Sequence, residues 1–313
     1  MAENSSVTDF KLETPEATRF FVRKWEPVDR KPKALILVVH GAAEHSARYD
    51  RLARFLNEGG YAVFAPDHRG HGFTVESQDN LGWAGPDGWN GMVRDLHQLV
   101  GHIKAVYPGL PLFMLGHSMG SFLAQNYIQL YDSDLQGVIL TGSTGTLGDS
   151  GTLIPTLEAA AQGEAASQPS VAFGQMFAGF NDPFPQKTGF EWLSRDEAEV
   201  QKYVDDPYSG FVFSNLLTAD FTKGTHALWQ PGKESTIPKN LPLLIASGEM
   251  DPVGGPDLAG LKTLVERYRQ AGIKDIDFIV YPGARHEILN ETNRDEVQQD
   301  ILNWLEKHLP AGS

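Results

Sequence analysis

The apolar run "PLFMLGHS" at 111–118 ends on a serine set between two glycines and passes straight into "SFLAQNYIQLY" at 121–131, which has helical spacing. A strand, then Gly-x-Ser-x-Gly, then a helix constrains the fold more tightly than any other stretch of this 313-residue chain. Such a turn forces Ser118 into a strained backbone conformation, and a side chain at Gly116 or Gly120 would crowd the adjoining strand and helix. His117 lies inside the turn and helps to shape it. The turn lifts the Ser118 hydroxyl clear of the sheet edge, beside the free N–H groups of a helix start. That is the setting of a nucleophile.

The surrounding rhythm agrees. Apolar strand runs at 34–41, 111–118 and 135–143, with a strand and loop over 61–72, alternate with amphipathic stretches at 48–60, 88–108 and 121–131. The alternation stops between residues 144 and 240, where helical pieces such as 194–204 lie among scattered Gly, Pro and aromatic residues. It resumes at 241–251, 257–272, 276–287 and 294–309. The pattern predicts an α/β fold: a doubly wound, mostly parallel sheet built from 1–143 and 241–313, with a helical insertion at 144–240.

A serine hydroxyl needs a base. Of the 10 histidines, His286 follows the last strand, at the carboxyl edge where sites on open α/β sheets lie. His97, His102 and His308 fall on helices and read as packing or surface residues. His40, His45, His68 and His71 resemble a metal cluster by count, yet no pair has a ligand scheme, so no metal is expected. Asp251 ends the strand before His286 and is the acid expected to orient its imidazole, with Glu249 and Asp257 as rivals. Attack on a carbonyl also needs two N–H donors for the oxyanion. Met119 and Ala42 are the candidates, with Ala43 in reserve.

Composition closes off other functions. A formal charge of −14 argues against a nucleic-acid partner, and the lack of cysteine excludes disulfides, thiolate metal sites and a Cys nucleophile. The N-terminal stretch has no basic-then-apolar leader pattern. The longest apolar run, 34–39, is far below the roughly 20 residues that span a bilayer. A soluble, cytoplasmic protein is expected.

Taken together, "HGAAEHSARY" (40–49), "PDHRGHG" (66–72), "GHSMG" (116–120), "GEMDPVGG" (248–255) and "GARHEILNE" (283–291) resemble the α/β-hydrolase superfamily. The likeness is to its monoglyceride lipase and lysophospholipase-like branch, which also takes in serine aminopeptidase-like proteins. It covers nearly the whole chain, and Ser118, Asp251, His286 follow the family's triad order. It implies an α/β-hydrolase fold with a helical cap inserted after the sixth strand. It also implies a serine carboxylic-ester hydrolase that needs no cofactor, forms an acyl-enzyme on Ser118 and has room for transient contact with a membrane surface. Relatives with dehalogenase or epoxide hydrolase chemistry place Asp where this chain has Ser118. Amidase, acyltransferase and cofactor-free haloperoxidase activity on the same triad, or a non-catalytic small-molecule-binding protein on this fold, are the alternatives.

Two positions depart from the family pattern, Ala43 and Ser121, where glycine is common. The insertion carries 12 Asp/Glu against 5 Lys/Arg between 146 and 235, and many aromatic residues. Such a roof suits neutral single-chain esters of short to medium acyl length, with more than half of its apolar residues expected to serve packing.

Overall fold

The computed structural model describes residues 5–15, 18–131 and 135–310; the first four residues of the stretch read for a leader lie outside these. Eight strands form one sheet in the order β1-β2-β4-β3-β5-β6-β7-β8. They are β1 (Ser5–Glu13), β2 (Arg19–Pro27), β3 (Ala34–Val39), β4 (Tyr61–Pro66), β5 (Leu112–His117), β6 (Gly137–Thr141), β7 (Leu243–Gly248) and β8 (Ile276–Tyr281). From β4 to β8 all neighbours run parallel, whereas β1 and β2 add an antiparallel edge. That edge was not anticipated, because β1 is largely exposed and lacks a continuous apolar run.

The central strands are buried on both faces, and their period of two divides the core. Leu35, Leu37 and Val39 join Met114, Leu140 and Ile245 in one cluster. Ile36 and Val38 join Phe113, Leu115 and Ala246 in the other. Helices α2 (Gly88–Val106), α3 (Met119–Leu130) and α8 (Ala259–Gln270) bury apolar stripes in the first, through Leu96, Leu123 and Leu264 among others. On the opposite face, α1 (Asp50–Glu58) and α9 (Arg294–Lys307) supply Leu52, Leu56, Ile301 and Trp304. Helix α3 starts directly after Ser118, two residues earlier than its spacing suggested.

Between β6 and β7 run α4 (Ile154–Ala160), α5 (Val171–Gln175), α6 (Glu197–Asp205) and α7 (Asn215–Leu228), with 3-10 turns between them. The insertion packs deeply onto the sheet layer. Phe213, Leu217, Phe221, Leu228 and Trp229 belong to the same cluster as α2 and α3. Of the insertion's other aromatics, Trp192 sits with Phe177, Phe180, Phe184 and Phe190 in a separate small cluster. Among the described residues, no helix is long and apolar enough to cross a membrane.

Helix α7 meets α2 through a glycine. A Cβ at Gly224 would lie 2.2 Å from Trp89 Cγ, so the helix can sit this close only without a side chain there. Gly224→Ala is therefore expected to force the two helices apart and lower Tm by about 2–8 °C, an overpacking cost of roughly 1–3 kcal/mol. An unchanged melting curve would mean that the Trp89 ring can swing away without loss.

Candidate active site

The turn after β5 has the geometry that its sequence demands. Ser118 holds φ +53° and ψ −125°, a conformation that costs a non-glycine residue about 1–3 kcal/mol. Its N–H donates to Thr141 O of β6 at 2.9 Å, which ties the turn to the sheet. The flanking glycines are explained by approach. A Cβ at Gly116 would lie 2.5 Å from Gly120 O, and one at Gly120 would lie 2.0 Å from Val39 O of β3. Ser121 Oγ lies 2.6 Å from Ser118 O and 2.8 Å from Ser143 Oγ.

The loops after β7 and β8 bring an acid and a base together. His286 Nδ1 lies 2.9 Å from Asp251 Oδ1, and both residues are about 2% exposed. Asp251 Oδ1 also accepts from Val253 N at 2.9 Å, which fixes the carboxylate. The rivals are placed elsewhere: Glu249 accepts from Gly283 N, and Asp257 is exposed on its own turn. Burial works to lower the His286 pKa, but the charge and hydrogen bond of Asp251 outweigh it, so the group sits above its ordinary 6.5. His117 lies beside it, with ring centroids 4.8 Å apart. Burial, then the neighbouring His286, pushes the His117 pKa down to about 4. Of this adjacent pair, only His286 carries a proton readily.

The loop after β3 completes the site. Gly41 N–H donates to Glu44 Oε1 and Ala43 N–H to His71 Nε2; among the described residues, the Ala42 N–H between them has no such acceptor. Met119 opens α3, so its N–H is one of the four that a helix leaves without an intrahelical partner. Ala43 itself has φ +52°, a left-handed conformation that costs an L-residue roughly 1–2 kcal/mol.

His40, His68 and His71 do come together, with ring centroids 4.0 to 5.9 Å apart, but they serve the backbone. His40 Nε2 accepts from His68 N and His68 Nε2 meets His40 O, both at 3.1 Å. Burial pushes the pKa of His68 down to about 4 and that of His71 down to about 3, so both are neutral and can accept. Among the described residues, the side chains within metal-ligand range of one another are Asp275, Asp277 and His308. There Lys307 already pairs with Asp277.

Reading the sequence missed a buried ion cluster next to the triad candidates. Arg48 reaches Glu44 at 2.7 Å and forks onto Glu287 at 2.6 and 2.7 Å. Burial opposes charge on Glu287, but the Arg48 guanidinium holds its pKa down at about 2. The spacing of Glu44 and Arg48, four residues apart, was the one available signal.

Two cavities meet at Ser118. One, of about 340 Å³, is lined by Glu44, Arg48, His117, Tyr203, His286 and Glu287, with Trp192 and four phenylalanines around them. The other, of about 700 Å³, is lined by Met119, Phe122, Met176, Phe180, Phe221 and Val253. Ala42, Ser118 and Phe177 line both. The chemistry that fits is acyl transfer: a hydroxyl, a buried base held by an acid, and N–H donors beside two differently lined chambers.

Comparisons with known proteins give the chain's family. The family profile "Serine aminopeptidase, S33" matches residues 30–293. The chain is 29% identical to the monoacylglycerol lipase of Mycolicibacterium smegmatis, over 91% of this chain and 92% of that one. It is 31% identical to the monoglyceride lipase of Homo sapiens, over 91% of this chain and 86% of that one. Among solved structures, a thermostable carboxyl esterase from Bacillus coagulans superposes with a TM-score of 0.88 at 30% identity, covering 97% of this chain and 99% of that one. The chain belongs to the serine aminopeptidase (S33) family of α/β-hydrolases, in its monoglyceride lipase-like group.

Proposed function

We propose that this chain is a serine carboxylic-ester hydrolase of the monoacylglycerol lipase type, with Ser118, His286 and Asp251 as its triad. The observation that carries the reading is the 2.9 Å contact of His286 Nδ1 with Asp251, with His286 lining the same cavity as the strained Ser118. Nδ1–H is given to the carboxylate, which leaves Nε2 to take the Ser118 proton. Oγ then bonds to the ester carbonyl carbon, and the oxyanion falls to the Ala42 and Met119 N–H groups. As the C–O bond to the alcohol breaks, His286 returns the proton to the leaving oxygen. Water, activated by the same imidazole, releases the acid and restores the serine.

Residues 144–240 act as a cap over this site, although part of the segment shares the main core. The apolar 700 Å³ cavity suits the acyl chain, and the smaller one, where Glu44, Arg48 and Glu287 join the aromatic rings, suits the alcohol. Leu147 and Leu153, 37% and 52% exposed, lie on the rim of the larger cavity, where a lipid surface would present its substrate. A cysteine-free chain asks for no oxidising compartment, which suits a cytoplasmic setting.

Variants, pH dependence and chain length test this reading. Ser118→Ala is expected to abolish fluorophosphonate labelling and ester turnover in a folded protein, and Asp251→Asn to cut kcat by about 10⁴-fold, the loss that a wrongly held imidazole tautomer causes in serine proteases. Asp251→Asn within tenfold of wild type would reject Asp251 as the acid. The pKa of His286 is raised, and the base must be neutral, so kcat/KM should fall with acidification through a single group above 6.5. A rate still flat at pH 5 would exclude His286. Each added acyl methylene is expected to raise kcat/KM by up to about fourfold until the larger cavity is full. Met176→Trp, which narrows that cavity, should move the optimum to shorter chains, and an unmoved optimum would place the acyl chain elsewhere.

A further inference from the structure

The oxyanion loop is held from two sides, and one side is the insertion. Ala43 N–H donates to His71 Nε2 at 3.3 Å, and His71 Nδ1 faces Arg69 O at 2.9 Å, so Nδ1 carries the ring proton and Nε2 accepts. The Ala43 carbonyl points the other way and accepts twice, from Gly210 N–H at 2.9 Å and from Tyr203 O–H at 3.1 Å. Both donors lie in the segment between β6 and β7. The turn that joins them is itself built on one carboxylate: Asp206 accepts from Tyr208 N and Ser209 Oγ, and its Oδ2 lies 2.7 Å from His45 Nε2. Residues 203–210 therefore grip the loop at Ala43 and again at His45. Burial raises the Tyr203 pKa, so its phenol remains a donor.

What makes the grip consequential is the residue it holds. Ala43 sits at φ +52°, where glycine rests without strain and alanine does not. The peptide on its N-terminal side joins the Ala42 carbonyl to the Ala43 N–H, and the other peptide of Ala42 carries the N–H proposed as oxyanion donor. An alanine released from its partners would relax toward negative φ, turn the Ala42–Ala43 peptide and so displace Ala42 with the donor N–H on its other side.

We infer that the 203–210 turn of the insertion is a latch on the oxyanion loop, with Tyr203 a positioning residue that acts through the strained Ala43. The inference rests on the reading of Ala42 as an oxyanion donor. It gives the insertion a part in the chemical step beyond roofing the cavity. The oxyanion forms in both acylation and deacylation, whereas the alcohol is present only in the first. A latch therefore affects both steps, and a contact between Tyr203 and the alcohol affects one.

The test is a four-protein cycle of the full chain: wild type, Tyr203→Phe, Ala43→Gly and the double variant. Burst kinetics with a p-nitrophenyl ester separate acylation from deacylation, and a melting curve accompanies each protein. Tyr203→Phe is expected to slow both steps by a common factor of about fivefold, one hydrogen bond's worth. In the Ala43→Gly background the same change is expected to cost less than about twofold, because glycine holds the positive φ unaided. Asp206→Ala, which loosens the turn from outside the smaller cavity, should repeat the pattern and stands in if Tyr203→Phe melts early. Equal slowing in both backgrounds, slowing of acylation alone, or no slowing at all would each overturn the latch. A wild-type protein with no burst and no turnover would instead overturn the catalytic reading, and the latch with it.

Discussion

The close approach of α3 to β3 at Gly120 is the contact on which the site depends. There the helix backbone comes so near the end of the strand that an added Cβ would lie 2.0 Å from Val39 O. The approach is possible because β3 and β5 are neighbours in the sheet while β4 lies on the other side of β3. Chain order reverses at this point, and loops leaving the carboxyl ends of β3 and β5 diverge to open a crevice. Ser118 stands on one lip of it and Ala42 on the other, so the serine and the proposed oxyanion donor are placed by strand order before any side chain is chosen. The strain at Ser118 is held by that packing, with the Thr141 carbonyl fixing the turn from β6.

Electrostatics then joins loops that strand order only brings near. Arg48 is almost wholly buried, and it bridges Glu44 of the loop after β3 to Glu287 of the loop after β8. Glu44 in turn accepts from Gly41 N–H and Tyr49 O–H, and Glu287 N–H donates to Leu193 O. One cation thus ties the loop after β3 to the residue beside His286. A buried pair of this kind adds little net stability, but removing one partner strands the others, at a cost of roughly 3–5 kcal/mol. The cluster is net negative. Glu287 and Glu44 also add to the field that favours protonated His286. The buried histidines show the opposite response. Among the described residues no acid is paired with His40, His68 or His71, and burial keeps them neutral as acceptors and donors for the backbone.

What could be read from the sequence was whatever depended on neighbours along the chain. The strands β3, β5, β6 and β7 are apolar on both faces and announce themselves as continuous runs. Ser118, Asp251 and His286 were legible because each sits where such a run, or the one at β8, ends. The hairpin β1–β2 was not, since "SSVTDFKLE" gives one buried position for several exposed ones. Nor was the grip of Tyr203 on Ala43, formed across 160 residues, or that of Arg48 on Glu287, across 239. Spacing carries no trace of contacts that only the closed sheet creates. The four histidines of the 40–71 region show how little a count says about chemistry. They looked like ligands by number, and three of them are hydrogen-bonded into loop backbone.

The two departures from the family's glycines prove to share a physical theme. At Ala43 the added methyl brings strain, and the partners that oppose it come largely from the insertion. At Ser121 the added hydroxyl is fully buried and lies against Ser118 O and Ser143 Oγ. Ser143 accepts from Gln125 Nε2 at 3.0 Å, and Gln125 Oε1 accepts from Trp229 Nε1 of the insertion at 3.0 Å. A hydrogen-bonded chain therefore runs from Trp229 through Gln125, Ser143 and Ser121 to the carbonyl of the nucleophile candidate. A glycine at 121 would break it at its last link and leave Ser143 without that neighbour. In this chain the segment between β6 and β7 is bonded to both lips of the crevice, through Tyr203 and Gly210 on one side and Trp229 on the other. A segment anchored in that way cannot move as a free lid without disturbing both the loop after β3 and the serine turn. Its position and the geometry of the reacting groups are thus coupled through named hydrogen bonds, and apolar packing alone does not account for the roof.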